Sequence, residues 1–506
     1  MNVEGMVGDD HSGGPDRSAA VVVNGAGGGP PVQESYRLRR DAELRLGEDG
    51  SLLLRQTRFR LTLERPGMGR RALLLRLAAD WVGDVEVGRL ISGLEGESRV
   101  LPAQLLLRRL LAHSWLERRV QVDDRALLDL VPTGLGRGSL PESRPHTPGV
   151  RYRLSRFATL QHDRGTLVAA SSLSTLTVGC ADAAVGAVLA AAVPGLGPDT
   201  VARMLGVPPE AAGRVLDELA TARILVTDAE YEAEHDDTPL AYWSPEELRL
   251  HHRSRAGRHA LPVGGTYRMR ERFAPQPLRR PYDGGRAVEL PLPDLATIAK
   301  ADPAFSQVVA DRRSVREHDD TSPLPLERLA EFLYRSQHTT VVGEAGGQEV
   351  GHRPYPGGGG VYELEIYPLV ARCAGLDPGL YHYDGVGHRL EPVAGWGAAA
   401  DRLLAYARAA GAMPRPPQTV LVVTARVQRL MWKYEGMSYA MILKDAGVLT
   451  QQMYLVATAM GLAPCALGAG DSQAFAELSG LDPLVEPSVA DFLLGSRRPA
   501  DTGARP

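Results

Sequence analysis

The segment best equipped to move a proton is Met431-Trp432-Lys433-Tyr434-Glu435-Gly436. The chain has three lysines, Lys300, Lys433 and Lys444, among its 57 basic residues, so arginine serves almost wherever a positive charge is needed. A guanidinium keeps its proton near neutral pH, whereas a desolvated ammonium can give it up. A lysine retained beside a tyrosine therefore reads as a proton-transfer pair, against the plainer reading of a solvated Lys433 and a Tyr434 that covers a core edge. A second group is Asp311-Arg312-Arg313-Ser314-Val315-Arg316. Its three guanidiniums and one hydroxyl suit a phosphate, or else form a solvated charge cluster. The third is the run Gly357-Gly358-Gly359-Gly360, which follows Arg353-Pro354-Tyr355-Pro356 and leads into Val361-Tyr362-Glu363-Leu364-Glu365-Ile366-Tyr367. Four glycines let backbone approach a flat ligand closely, or make a flexible loop. No Gly-Lys-Ser or Gly-Lys-Thr follows, so this is not a Walker phosphate loop.

The elements that must position these groups begin near residue 301. Helices alternate there with apolar strands at 362–370 and 419–424, an α+β pattern. Residues 440–461 carry Ala446, Leu449, Met453, Val456, Ala457 and Met460 at helical spacing and read as a buried helix. Upstream lies an internal repeat. Tyr36-Arg37-Leu38-Arg39-Arg40 with Leu44 and Gly50-Ser51-Leu52-Leu53 recurs as Tyr152-Arg153-Leu154-Ser155-Arg156 with Leu160 and Gly165-Thr166-Leu167-Val168. Each copy reads as a hairpin, helices and a closing strand. In the second copy a helix starting at Pro198 and another at 210–222 suggest a winged helix. The second of these carries Glu210, Asp217 and Glu218 against one arginine, Arg214, so it offers no basic face for DNA. An open sheet edge that receives an extended peptide, or a purely structural role, suits it better. The expected order is a disordered tail at 1–33, winged-helix-like domains at 34–131 and 151–230, a Gly/Pro/Ser-rich linker at 132–150, a connector at 231–300 and an α+β domain at 301–506. The connector contains His251-His252, adjacent residues that point to different helix faces and make a poor metal pair.

Composition narrows the function classes. With 506 residues and a net charge of −4, the chain has length for two to four domains and no electrostatic case for a nucleic-acid surface. Three scattered cysteines, Cys180, Cys373 and Cys465, favour a reducing cytoplasm over a disulfide framework or a thiolate metal site. Apolar runs such as 183–193 are too short to span a bilayer, and Asp9 and Asp10 stand where an export signal needs a basic start.

In order and spacing these motifs, from Trp243 to the C-terminus, resemble the nitroreductase-like flavoproteins and, within them, the SagB-type peptide dehydrogenases that oxidise azolines. Further points of similarity are 243–255, Gly379-Leu380-Tyr381-His382-Tyr383 and Ala446-Gly447 through Gln451, Leu455, Ala459 and Gly461. The resemblance implies a nitroreductase-like FMN-binding C-terminal domain preceded by tandem winged-helix domains, with FMN at a homodimer interface. Arg312, Arg313, Ser314 and Arg316 would hold its phosphate and ribityl end, with Arg497 or Arg498 closing it. Gly357, Gly358 and Gly359 would pass along the ring edge, and the backbone N–H of Gly468 or Ala469 would reach flavin N5. Lys433 and Tyr434 would occupy the place of the family's catalytic pair. Many relatives have a serine ahead of the glycines and an arginine soon after the Lys-Tyr pair, where this chain has Gly357 and Ser438. The implied partners are a precursor peptide, bearing a leader and an azoline core, and a cyclodehydratase that forms the rings. Two other functions fit parts of the chain. They are an NAD(P)H-dependent nitro or quinone reductase, and a non-catalytic peptide-binding scaffold.

Overall fold

A computed structural model describes residues 31–56, 59–133, 149–236, 239–259 and 261–498. The expected tail lies outside these residues except for 31–33, and so does most of the expected linker. Val32 and Gln33 are already in the first strand, Val32–Leu38, where they pair with Val122 and Gln121. That strand therefore starts inside the segment assigned to the tail, because cross-strand partners order residues whose own composition gives no signal.

The two repeat copies share one antiparallel sheet of seven strands. Its order is Val82–Gly83, Val32–Leu38, Leu116–Val122, Arg125–Pro132, Leu176–Cys180, Thr166–Ser171 and Ala158–Asp163. The join is the pairing of Arg125–Pro132 from the first copy with Leu176–Cys180 from the second. The helix Pro209–Thr221 packs on strands of the first copy, and along it only Pro209 and Glu210 are exposed. Glu218, fully buried on this helix, meets Arg118 at 2.5 Å and Arg214 at 2.9 Å, so its charge is paired where it leaves water. The face that a DNA-reading helix would present is thus spent on packing between the copies.

The connector, residues 231–300, carries helices of its own. The helix Asp228–Asp236 straddles its start, and the helix Pro245–Arg253 is fixed by a capping box of Ser244 and Glu247. Beyond 253 the chain runs largely without regular structure to the strand Val288–Glu289, which pairs with Arg389–Gly395 in the next sheet.

That second sheet is the frame of the C-terminal half. It is antiparallel throughout, in the order Val288–Glu289, Arg389–Gly395, Gly379–Asp384, Leu364–Val370, Thr419–Ala425, Ser488–Gly495 and Ala463–Ala466. The strands Leu364–Val370 and Thr419–Ala425 are buried along their whole length, so both faces are covered. Ile366, Leu421, Val423 and Phe492 face a core with Phe332, Leu333, Ile442, Leu449 and Met453. Tyr367, Leu369, Val420, Val422 and Leu493 face the opposite core with Leu403, Ala407 and Phe475. The alternation puts helices on both sides of the sheet, since successive strand side chains point to opposite faces. On the first side lies the long helix Ser438–Ala459, 22 residues and about 33 Å. No helix among the described residues is long and apolar enough to cross a membrane.

Candidate active site

Lys433 ends the helix Val427–Lys433, and Tyr434 leaves it in extended conformation. The last carbonyls of a helix lack intrahelical donors. That of Lys433 is satisfied from an unexpected direction: Thr266 N donates to it at 2.8 Å and Tyr267 N at 3.1 Å. Thr266 Oγ1 also donates to Glu435 at 3.1 Å, and the Tyr267 ring meets Trp432 edge-on at 5.6 Å. Arg270 lies over the Tyr267 ring, and Trp432 Nε1 donates to Phe273 O at 2.8 Å. Residues 265–273 thus form a strap across the lysine, with Tyr267 itself at a positive φ of 53°.

The glycine run meets the same pair from the other side. Gly359 is left-handed (φ 64°), and its carbonyl accepts Lys433 Nζ at 3.2 Å. A side chain here would strain the backbone, run into the Tyr434 hydroxyl and come within 2.7 Å of Lys433 Nζ. At Gly358 it would collide with Met441, and at Gly357 it would sit 2.9 Å from the Tyr362 ring. Gly358 N donates to Asp445 Oδ2 at 2.9 Å, which ties the turn to the long helix. Arg429, fully buried, donates to the carbonyls of Val361, Glu349 and Gln276, and so fixes the exit of the turn.

These surroundings move the two proton-bearing groups in opposite senses. Burial lowers Lys433 from the ordinary lysine value. Burial raises Tyr434, helped by Tyr267, Asp445 and Glu363 nearby. Near neutral pH the phenol keeps its proton, and of the two groups the amine is the one eased toward its neutral form. Lys433 Nζ stands 5.4 Å from the Tyr434 ring centre.

The arginine run lies at the other end of the long helix. Tyr454 is its organiser. Its hydroxyl lies 2.7 Å from Ser314 Oγ and accepts Ala466 N at 2.8 Å, and the Arg312 guanidinium lies 5.1 Å from the ring centre. Val315 N donates to Pro464 O at 2.7 Å, so the run is stitched to the strand that leads to Gly468 and Ala469, both exposed. Arg316 Nε donates to Gly411 O at 3.0 Å. Arg497 pairs through its backbone with His318, two residues beyond Arg316, while Arg498 donates to Glu317 at 3.0 Å. Among the described residues Arg312 has no carboxylate partner, so its donors remain open to an anion.

The sequence-derived residues therefore fall into two clusters joined by one helix. Lys433, Tyr434, Gly357, Gly358 and Gly359 form one; Arg312, Ser314, Arg316 and Arg497, with the approach to Gly468 and Ala469, form the other, and Arg313 lies within the same run. Sequence reasoning missed Tyr454, Asp445, Glu363 and the strap. Asp445 did leave a trace: an acid among the buried positions Ile442, Ala446 and Leu449 of an apolar helix. The strap left none, because its hold on Lys433 itself is through backbone N–H groups. Among the described residues no set of three or more His, Cys, Asp or Glu side chains is arranged to hold a metal ion.

Comparison with known proteins gives two family matches. Residues 309–490 match the Nitroreductase family, and residues 152–260 match the family described as cyanobactin oxidase ThcOx. A putative nitroreductase, MJ1384, of Methanocaldococcus jannaschii is 29% identical over 185 residues, covering 37% of this chain and 86% of that protein. The trifolitoxin-processing protein TfxB of Rhizobium leguminosarum bv. trifolii is 27% identical over 192 residues, covering 36% of this chain and 51% of that protein, about half of its length. Among solved structures, a putative nitroreductase of Ralstonia eutropha aligns with TM-score 0.33 and 22% identity, over 44% of this chain and 95% of that one. The Escherichia coli microcin synthetase McbBCD complex with truncated pro-MccB17 aligns with TM-score 0.32 and 20% identity, over 46% of this chain and 91% of that one.

Proposed function

We infer, for a chain that belongs to the nitroreductase-like superfamily and within it to the SagB-type peptide dehydrogenases, an FMN-dependent oxidation of azoline rings to azoles in a ribosomally made peptide. The observation that carries this reading is the placement of Lys433: an amine lowered by burial, held on Gly359 O, beside a tyrosine that keeps its proton. Aromatising an azoline removes a Cα proton, acidified by the adjacent carbonyl and imine, together with a hydride from Cβ. Bound FMN would supply the hydride acceptor and be reoxidised by oxygen, so no nicotinamide is required. Lys433 takes the proton, and Tyr434 is the rival group or a relay to it. The residues fit the cofactor: Arg312 and Ser314 suit its phosphate end, and the glycines of the turn leave bare backbone beside Lys433 and Tyr434.

A homodimer is supported by the apolar side chains Tyr439, Leu443 and Val448, exposed along the long helix near Phe305 and Val309. The N-terminal half, whose second copy matches the cyanobactin-oxidase family, is assigned to holding the precursor peptide or a cyclodehydratase. Incubation with an azoline-bearing peptide should remove two hydrogens per ring by mass. Lys433→Ala should keep flavin and lose that activity, and full activity in the variant would sink the role. The kcat profile should rise with pH, with its midpoint below lysine's ordinary 10.5. The match of residues 309–490 to the Nitroreductase family supports a second reading, NAD(P)H-driven reduction of nitro or quinone compounds. Bleaching of the flavin by NADPH without peptide would favour it.

A further inference from the structure

Behind the glycine turn sits an acid that the reaction above does not use. Glu363 directly precedes the strand Leu364–Val370 and is completely buried. Apart from its own backbone N–H, no donor among the described residues reaches its carboxyl oxygens. Arg353, the nearby cation, is engaged instead with Thr339, Tyr355 and the carbonyl of Leu364. Facing Glu363 is the carboxyl of Asp445 on the long helix, 8% exposed, whose Oδ2 accepts Gly358 N at 2.9 Å. An ionised carboxylate without a donor in a dry interior is costly, and two ionised carboxylates against each other cost more. One proton removes both penalties. A protonated Glu363 donates to Asp445, which keeps its charge and the glycine N–H. The environment favours that state: burial, then the Asp445 charge, pushes Glu363 up to about 8.

We propose that Glu363 and Asp445 share a single proton and are positioning residues for the Lys433–Tyr434 pair, acting through the glycine turn. The proposal rests on the proton-transfer reading of that pair. The connection is short. Asp445 fixes Gly358 N, Gly359 follows in its left-handed conformation, and Gly359 O receives Lys433 Nζ. The shared proton also keeps the net charge behind the turn at one rather than two. Other ionisable groups facing the acids are Arg353 and Tyr355 on the chain before the glycines, Lys444 on the long helix and Tyr434.

Two measurements on the full-length protein test this. Infrared difference spectra between the parent and Glu363→Gln at neutral pH should show a protonated-carboxyl C=O band that the variant lacks. In the parent that band should titrate away near pH 8. If Glu363→Gln removes no such band, the shared proton is refuted. The amide of Glu363→Gln can still donate to Asp445, so this variant should stay folded and keep its flavin. Asp445→Ala should lose kcat by about tenfold or more with flavin and peptide KM little changed, the signature of a displaced catalytic group. An unchanged kcat would overturn the positioning role. Should Asp445→Ala fail to fold, the infrared comparison still decides. Full activity in Lys433→Ala would defeat the proton-transfer reading and leave the infrared result standing, so the two failures are told apart.

Discussion

Asp445 and Tyr454 lie on the same helix, about 13 Å apart along its axis, and their neighbourhoods differ in kind. Around Tyr454 the protein gathers arginines, with the Arg312 guanidinium over the ring and Ser314 on the hydroxyl. Around Asp445 it gathers acids that are buried, with a part-buried amine and bare backbone beside them. One end is suited to an anion by its surplus charge. The other shifts protonation by burial, so that in the proposed reaction small displacements there would change chemistry rather than affinity.

Substitutions should separate the two ends. The largest effect is expected at Lys433. Lys433→Ala, and equally Lys433→Arg, which keeps the charge but cannot release the proton, should lower kcat by about 10²–10⁴-fold while the flavin spectrum persists. Loss of flavin in either would erase the distinction between the ends. Gly359→Ala should follow, with kcat reduced by about 10–100-fold, because the new methyl displaces Lys433 and Tyr434 by a good fraction of an ångström. At the opposite end, Arg312→Ala should weaken flavin binding by about tenfold or more, the loss of a charge-assisted contact, and leave turnover per bound flavin unchanged. A changed turnover there would mean the ends are coupled.

Two smaller effects sharpen the contrast. In the sheet, burial would lower His382, but hydrogen bonds to Glu365 at 3.2 Å and Glu391 at 2.9 Å outweigh it and hold the imidazole up to about 9. A folded-state value above the unfolded one stabilises fully below the ordinary histidine range and is lost as pH rises through about 9. The melting temperature should therefore fall between pH 7 and 10, and His382→Gln should flatten that slope. Thr266→Val removes only the Oγ1 bond to Glu435 and keeps the backbone bond to Lys433, so it should cost about 0.5–1.5 kcal/mol in denaturant unfolding. Its kcat should stay within about threefold of the parent.

What could be read from the chain depended on whether the partners were contiguous. The arginine run at 312–316 and the glycines at 357–360 announce themselves because each is one short stretch with one chemistry. The long helix and the strands Leu364–Val370 and Thr419–Ala425 were legible from apolar spacing and runs, since burial on one face or both dictates the pattern. Glu363 was not legible. An acid before an apolar strand looks like a boundary residue until Asp445, distant in sequence, is brought against it. The sheet shared by the repeat copies was equally hidden, because a pairing such as Val178 with Leu130 is a matter of register between remote segments. Residues 254–287 carry no periodicity at all, and the Lys433 carbonyl is met there by backbone N–H groups, which a sequence does not mark.

That last segment bears on what is inherited as a unit. The family match begins at residue 309, yet the carbonyl of Lys433 is answered by residues 266 and 267. A recombination event, or a gene synthesiser's cut, placed at the edge of the matched domain would carry away the chemistry and leave behind the splint that sets it. The smallest heritable piece that keeps Lys433 in place is therefore longer than the domain that gives the family its name.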